Sequence, residues 1–367
     1  MAEIRLETVS KTFGSLAAVN DVTLKVEDGA FFVMLGPSGC GKTTTLRMIA
    51  GLELPSAGRI LLDGEDVTAQ RAAARDIAFV FQLFALYPHL NVRHNIAFPL
   101  RCQNLPRAEV RRRVEETARL LRIEALLDRR VGGLSGGDRQ RVALGRAIVR
   151  RPKAFLMDEP LGALDAEFRR LMCGELRELH DRIRATTVYI THDQLEAMAM
   201  ADRIAVMRAG KVEQSGTPQE IYDRPRTMFV ADFIGAPPMN LLNFEATVRR
   251  GDHSLVLDGG AIEVPEIQED RPPGPLALGV RPEHVSLADA AALRGRVFGT
   301  EYLGTTQIVT IVTAYGQVKA RLSSKTAVQR GETVGLALRR DRLCLFDAAS
   351  GRALQSALYS DNGAYGG

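Results

Sequence analysis

Tryptophan is absent from the 367 residues, and cysteine is nearly so: only Cys40, Cys102, Cys173 and Cys344 occur. They stand far apart without a CxxC pair, which argues against a zinc site or a disulfide framework and suggests reduced thiols in a cytosolic protein. An excess of one charge is missing as well. Lys and Arg number 48 against 44 Asp and Glu, a formal net charge of +4, which makes no case for nucleic acid as the main partner. No apolar run reaches the ~18 residues of a membrane-spanning helix. The first seven residues alternate charged and apolar side chains and do not read as a secretion signal. No internal repeat is visible. What remains is ordinary for a soluble globular protein, 46% hydrophobic and 25% charged, with length enough for two domains.

Against this background one stretch stands out: Gly36-Pro37-Ser38-Gly39-Cys40-Gly41-Lys42-Thr43-Thr44. It fits G-x-x-x-x-G-K-[ST], follows the apolar run 30–35 and precedes a helix-like segment, the context that this pattern requires. Glycines let the backbone curl so that N–H groups converge on an anion, and a helix N-terminus adds donors and the positive end of its dipole. Lys42 is placed to reach the β- and γ-phosphates of a nucleotide, and the Thr43 hydroxyl to help hold Mg²⁺.

Upstream, residues 4–9 and 19–26 alternate as strands, with a turn at 11–14 that carries Phe13. Two antiparallel strands ahead of the loop suggest a small β-subdomain over one face of the nucleotide. Phe13 could stack on adenine or simply pack; spacing does not separate the two. Downstream, residues 77–80 read as a buried strand ending near Gln82, a group suited to ligate Mg²⁺ or orient water at the carboxyl edge of a sheet. Residues 83–100 are apolar and aromatic but broken by Pro88 and Pro99, too irregular for one helix. They read as a docking surface or a buried connection. Residues 107–127 are helical, with Val110, Val114, Ala118 and Leu121 on one face. The basic run Arg111-Arg112-Arg113 is interleaved with Glu109, Glu115 and Glu116 and reads as a solvated face.

Leu134-Ser135-Gly136-Gly137-Asp138 opens a second helix, 139–149, and so offers a second phosphate clamp. One γ-phosphate needs only one such loop per chain; a second makes sense if it serves a nucleotide held by another subunit. Residues 154–157 form an apolar strand ending in Asp158-Glu159. Neighbours on a strand face opposite ways, so Asp158 is expected to address Mg²⁺ and Glu159 the attacking water. A helix over 166–184 and a buried strand over 186–190 follow, the latter capped by Thr191-His192-Asp193. His192 joins the other polar groups at that edge. After Pro237-Pro238 the pattern changes to short alternating strands with frequent Gly and Pro, expected as a small barrel-like β domain. The C-terminal residues, 351–367, look like a disordered tail.

Taken in order, residues 36–44, Gln82, residues 134–138, Asp158-Glu159, Asp165 and His192 resemble the ATP-binding cassette ATPases: Walker A, Q-loop, signature loop, Walker B, D-loop and switch histidine. Four further stretches narrow the resemblance to the ATPases of maltose-type carbohydrate importers. They are Phe84-Ala85-Leu86-Tyr87-Pro88-His89, Asn95-Ile96-Ala97-Phe98-Pro99-Leu100, Phe233-Ile234-Gly235-Ala236-Pro237-Pro238-Met239-Asn240 and Gly279-Val280-Arg281-Pro282-Glu283-His284. The resemblance implies an α/β P-loop ATPase domain, 1–235, with a mixed sheet, a small antiparallel β-subdomain and a helical subdomain. An all-β, OB-like regulatory domain, 236–350, would follow. It further implies ATP and Mg²⁺, with Phe13 on adenine and residues 39–44 around the phosphates. Thr43, Gln82 and Asp158 would hold the metal; Glu159 would be the base and His192 the γ-phosphate sensor. Ser135, Gly136, Gly137 and Asp165 would face the partner's nucleotide. The partners implied are a second such ATPase, two transmembrane permeases docking near residues 85–89 and, indirectly, a solute-binding protein, at the cytoplasmic face of a bacterial or archaeal membrane. A catalytically weak regulatory cassette and a soluble non-transport cassette protein stay open as other readings.

Three positions depart from the family pattern. Phe13 stands where Tyr is usual, which keeps the ring face. Asp138 replaces Gln and brings a carboxylate near a γ-phosphate unless Arg139 or Arg141 pairs with it. Gly162-Ala163 replaces Ser-Asn in the D-loop. Slower or more tightly coupled basal hydrolysis is expected.

Overall fold

The computed structural model describes residues 2–81, 85–162, 164–257 and 260–360. Gln82, Phe84 and Ala163 lie outside these, as does the segment 361–367. The chain divides into two compact units, Met1–Pro218 and Gln219–Gly367.

In the first unit, β1 (Ile4–Phe13) and β2 (Leu16–Val26) form an antiparallel hairpin, completed by β4 (Ala57–Leu62) and β5 (Glu65–Asp66) in the order β2-β1-β4-β5. Strand β1 continues through Lys11, Thr12 and Phe13 of the turn expected at 11–14, and the chain reverses at its last residue, Gly14, whose φ of 59 suits a tight turn. A six-stranded sheet has the order β10-β9-β3-β8-β7-β6, with β3 (Phe31–Leu35), β6 (Ile77–Val80), β7 (Ala154–Asp158), β8 (Thr186–Thr191), β9 (Arg203–Arg208) and β10 (Lys211–Gly216). Every pairing in it is parallel except β9 with β10. The central strands β3 and β8 are buried on both faces, which is why they read as continuous apolar runs rather than alternating ones. The helix α1 (Lys42–Ile49) packs Leu46, Met48 and Ile49 into one core with Ile4 and Leu6 of β1 and Met34, Leu156 and Ile190 of the large sheet.

The parallel arrangement matters most at one place. It brings the carboxyl ends of β3, β7, β8 and β6 to a single edge, where α/β sheets bind ligands. α2 (Val92–Cys102), α3 (Arg107–Leu120) and α4 (Gly136–Ile148) form the helical part, with α5 (Ala166–Ile183) and α6 (Gln194–Met200) following β7 and β8. Residues 92–102 are a continuous helix despite Pro99, against the irregular segment expected there. Asn91 starts it by accepting from the His94 N–H at 2.8 Å. The buried Asn95 side chain ties it to the preceding loop, accepting from the Tyr87 N–H and donating to the Tyr87 and Leu90 carbonyls. α3 stops at Leu120, short of the expected 127, because Arg122 takes a left-handed φ of 56. Its basic run is ion-paired along the helix, Arg112 and Arg113 to Glu109 at 2.7 and 2.6 Å.

The second unit begins within α7 (Pro218–Asp223) and includes α8 (Met228–Phe233), both inside the 1–235 part that the sequence suggests for the ATPase domain. They belong here because Arg281, 1% exposed, donates to the carbonyls of Tyr222, Ala231 and Ile234. Burial pushes that guanidinium below its ordinary pKa, so losing its acceptors would leave a costly buried cation. The strands are β11 (Asn240–Val248), β12 (Ser254–Leu257), β13 (Gly260–Glu263), β14 (Arg271–Val280), β15 (Val285–Leu287), β16 (Leu293–Tyr302), β17 (Thr306–Thr313), β18 (Gly316–Ser323), β19 (Thr333–Leu338) and β20 (Cys344–Asp347). They form antiparallel sheets ordered β11-β14-β20, β12-β13 and β15-β19-β16-β17-β18. Asn240 stitches two of these sheets together, donating to the Val280 and Lys319 carbonyls and accepting from the Lys319 N–H.

The described part of the expected tail, residues 351–360, is ordered. Ala353 bridges to Phe346 and Ser356 to Ile267, Leu354 is fully buried, and the Tyr359 hydroxyl donates to the Pro225 carbonyl at 2.9 Å. Leu354 reaches the main core of this unit, and Ala353 and Leu358 a smaller one beside it; the polar residues between them masked that pattern.

Candidate nucleotide site

The loop between β3 and α1 is shaped by its glycines. Gly41 has φ 102, and a Cβ there would lie 2.4 Å from the Ala18 carbonyl oxygen. At Gly36 a Cβ would lie 2.3 Å from the Met207 carbonyl oxygen. Neither position tolerates a side chain, so the loop is pressed against its supports while Pro37, Ser38 and Gly39 stay exposed at its crest. Gly41 is the N-cap of α1 and offers no side-chain cap. The first N–H groups of the helix, from Lys42, Thr43 and Thr44, are thus directed to the loop's own concavity, an anion site by construction. Lys42 is 5% exposed and folds its ammonium back onto the Gly36 and Pro37 carbonyls at 2.7 and 2.9 Å.

At the same edge the Thr43 hydroxyl donates to Asp158 Oδ1 at 3.1 Å. Burial holds the Asp158 carboxyl above its ordinary range, with the charge of Glu159 adding to the shift and the Thr43 hydrogen bond opposing it. The next residue does not continue the strand. Glu159 has a left-handed φ of 43 and donates its N–H to the Ile190 carbonyl at 3.2 Å. The expectation that strand alternation separates the two carboxylates is therefore corrected: a backbone turn does it. Left-handed backbone at a non-glycine residue is strained and persists only where surroundings impose it. The turn brings Glu159 Oε2 within 3.2 Å of His192 Nδ1. The glutamate side chain is 21% exposed and the histidine 54%.

The structure thus joins Lys42, Thr43, Asp158, Glu159 and His192 into one edge. Ser135, Gly136, Gly137 and Asp165 form a second group, and no hydrogen bond or ion pair connects the two among the described residues. Ser135 is the N-cap of α4 and accepts from the Asp138 N–H at 3.2 Å; its hydroxyl donates to Asp138 Oδ2 at 2.8 Å. Asp138 therefore turns back on the helix start, with Arg141 at 3.7 Å; of the two arginines expected to meet it, Arg141 does so. Gly137 faces Phe168, and a Cβ there would lie 2.1 Å from the ring. Asp165 caps α5 by accepting from the Phe168 N–H at 2.9 Å. Phe13 ends β1, 47% exposed, with the Lys11 ammonium 4.9 Å over its ring.

Sequence reading missed two cations. Arg146 donates to the Ala85 carbonyl at 2.6 Å and lies 5.3 Å over the Tyr87 ring, fixing residues 85–89. Arg75, 1% exposed, donates to the Met48, Ile49, Gln70 and Thr68 carbonyls and so closes the far end of α1. A single arginine in a polar stretch carries no signal for either role.

Comparison with known proteins agrees with this geometry. The ABC transporter family matches residues 19–162, the MalK OB fold domain 235–285 and the TOBE domain 278–346. The trehalose/maltose import ATP-binding protein MalK of Thermococcus litoralis is 46% identical, over 96% of this chain and 100% of that protein. The trehalose import ATP-binding protein SugC of Mycobacterium tuberculosis is 44% identical, over 96% and 98%. The sn-glycerol-3-phosphate import ATP-binding protein UgpC 3 of Agrobacterium fabrum is 43% identical, over 96% and 100%. Among solved structures, the dimeric structure of MJ0796, a bacterial ABC transporter cassette, is 31% identical, with a TM-score of 0.53 over 59% of this chain and 98% of that one. A post-hydrolysis state of the same cassette, bound to ADP and Pi, gives 0.52 at the same identity and coverage. With this edge, this order of loops and these relatives, the chain belongs to the family of ABC importer ATP-binding subunits, ATPases that couple ATP hydrolysis to solute uptake.

Proposed function

We propose that two copies of this chain close on ATP, each supplying the Lys42 loop and the Glu159–His192 edge to one nucleotide and the Ser135–Gly137 loop to the other. The observation that carries this reading is the convergence of Thr43–Asp158 and Glu159–His192 beside Lys42, with the Ser135 group left outside it. Backbone N–H groups of residues 39–44 and the Lys42 ammonium would bind the phosphates, and Phe13 would stack on the base. Lys42 is held on two carbonyls of its own loop, a short swing from a phosphate taking their place.

The donor set suits a hard cation. One hydroxyl and one carboxylate oxygen lie 3.1 Å apart, and Mg²⁺ is typically held by one or two protein oxygens together with phosphates and water. Thr43 and Asp158 would hold it, with Gln82 joining them on the family pattern. Bound there, Mg²⁺ supplies charge neutralisation on the phosphate oxygens. Glu159 accepts the proton of the water that attacks the γ-phosphorus; the bond to the ADP oxygen breaks, giving ADP and phosphate. His192 holds Glu159 in place and is available to a γ-phosphate oxygen.

Residues 85–89, fixed by Arg146 and Asn95, would receive the permease at the cytoplasmic face of the membrane. On this reading the first unit, Met1–Pro218, corresponds to the motor part and the second, Gln219–Gly367, to the regulatory part. The relatives named for trehalose, maltose and glycerol-3-phosphate support a sugar or a similarly sized polar solute. Replacement of Glu159 by Gln should leave ATP binding intact, trap an ATP-dependent dimer and lower turnover by roughly 10²-fold or more. Size-exclusion with ATP and phosphate release measure both, and ordinary turnover in that variant would refute the base assignment.

A further inference from the structure

Behind the Glu159–His192 pair, one guanidinium spans two loops. Arg169 lies in the first turn of α5. Its Nη2 donates to the Leu164 carbonyl at 2.8 Å, and its Nη1 donates to Asp193 Oδ2 at 3.2 Å. Its Nε lies 3.5 Å from Glu196 Oε1.

Each acceptor has a definite place. Leu164 precedes Asp165, the N-cap of α5, and its side chain lies against the signature loop: a Cβ on Gly136 would be 3.2 Å from Leu164 Cδ2. Asp193 is the centre of the turn that carries His192. Its N–H donates to Thr191 Oγ1 at 2.9 Å, and its Oδ1 accepts from the Leu195 and Glu196 N–H groups. Glu196 is itself fixed, 5% exposed and accepting the Tyr189 hydroxyl at 2.7 Å. The contacts therefore run from Gly136 through Leu164, Arg169 and Asp193 to His192 and Glu159.

We propose that Arg169 is a positioning residue that holds the Leu164 loop and the His192 turn at one spacing, so that a partner seated on Ser135 and Asp165 is registered at the Glu159–His192 pair. This rests on the two-copy reading above. A planar fork suits the task, since it donates in several directions at fixed angles. Lysine, a single ammonium on a flexible stem, does not hold the carbonyl and the carboxylate with the same geometry. The Arg169 side chain is 27% exposed, and Glu196 keeps the Tyr189 hydroxyl when the guanidinium is lost, so the loss should disturb timing more than folding.

The experiment compares full-length parent, Arg169→Ala, Arg169→Lys and Asp193→Asn. The asparagine keeps Oδ1 as the cap of α6 and replaces the anionic partner of Arg169. Turnover in Arg169→Ala and Asp193→Asn should fall by roughly 10–100-fold, the usual effect of losing an orienting contact. KM for ATP and the melting temperature should stay close to the parent's, with Arg169→Lys intermediate. Combining Arg169→Ala with Asp193→Asn should cost no more than the worse single change. Amide hydrogen exchange supplies a readout independent of turnover. In the parent, MgATP should protect peptides spanning 159–168 and 190–197 together; in Arg169→Ala the two should respond separately. Unchanged turnover in Arg169→Ala would overturn the proposal. So would a parallel loss of turnover, ATP affinity and melting temperature, or separate protection of the two peptides already in the parent. A parent without ATP turnover would instead count against the hydrolysis assignments, leaving the exchange arm to decide the role of Arg169.

Discussion

Asp158 shows how one side chain can trade stability for binding. Its carboxyl is held above the ordinary range chiefly by burial. The folded state therefore grips this proton more tightly than the unfolded state does. The stabilising contribution is complete below the unfolded value of ~4 and is lost as pH rises through the raised folded value. At neutral pH the ionised group is a cost that a bound cation would offset. The Mg²⁺-free Asp158→Asn protein should melt above the parent at pH ~7, by roughly 1–3 °C, and the gap should close towards pH ~4. A melting series across pH measures this, and a gap independent of pH would rule out the carboxyl as its cause. Stabilisation of the variant by ATP with Mg²⁺ should shrink at the same time. Asp138 poses the opposite question. It occupies the Ser135 hydroxyl at 2.8 Å, and on the two-copy reading that hydroxyl is needed by the partner's nucleotide. Asp138→Gln should raise phosphate release by a few-fold, the effect of freeing a hydrogen bond of about 1 kcal/mol. An unchanged rate would remove the claim that this carboxylate slows the motor.

Among the elements, the approach of α4 to α5 is set by one missing side chain. Gly137 is buried against Phe168, with no room for even a methyl group. Gly137→Ala must push the start of α4 away from α5 and shift Ser135 with it. The expected cost is about 1–3 kcal/mol of overpacking strain, seen as a lower denaturation midpoint. Trimming the ring in a Gly137→Ala, Phe168→Leu double variant should recover part of it. Failure of the double variant to recover would mean that backbone freedom, not the ring, selects glycine. α2 shows a related override: Pro99 removes one backbone donor from the helix interior, yet the helix persists because Val92, Ile96, Ala97 and Leu100 are buried.

For the molecule, the two units have separate hydrophobic cores, one built around β1, β3 and α1 and the others around β11, β14 and β20. Residues 351–360 close the second set. Deleting everything after Ser350 removes Leu354, which is fully buried, and the bridges of Ala353 and Ser356. Losing a buried leucine costs about 2–5 kcal/mol, so the second unit should melt roughly 10 °C lower. The shift in melting that ATP produces should be kept. Differential scanning calorimetry with and without ATP measures both, and an unchanged profile would return these residues to the status of a tail.

Local chemistry alone determined the nucleotide loop, the order of motifs and the change to a β-rich second part. Each rests on residue types whose backbone or charge behaves the same in any surroundings: glycines at a tight turn, a lysine before a helix, carboxylates ending an apolar run. Tertiary structure decided the rest. Glu159 reaches His192 through a left-handed turn backed by β8, Asp138 folds onto Ser135 and Arg141, and Arg75, Arg146, Arg169 and Arg281 each find acceptors distant in sequence. A long cation shows no periodicity and takes its role from whichever carbonyls and carboxylates the packed strands and helices bring within reach.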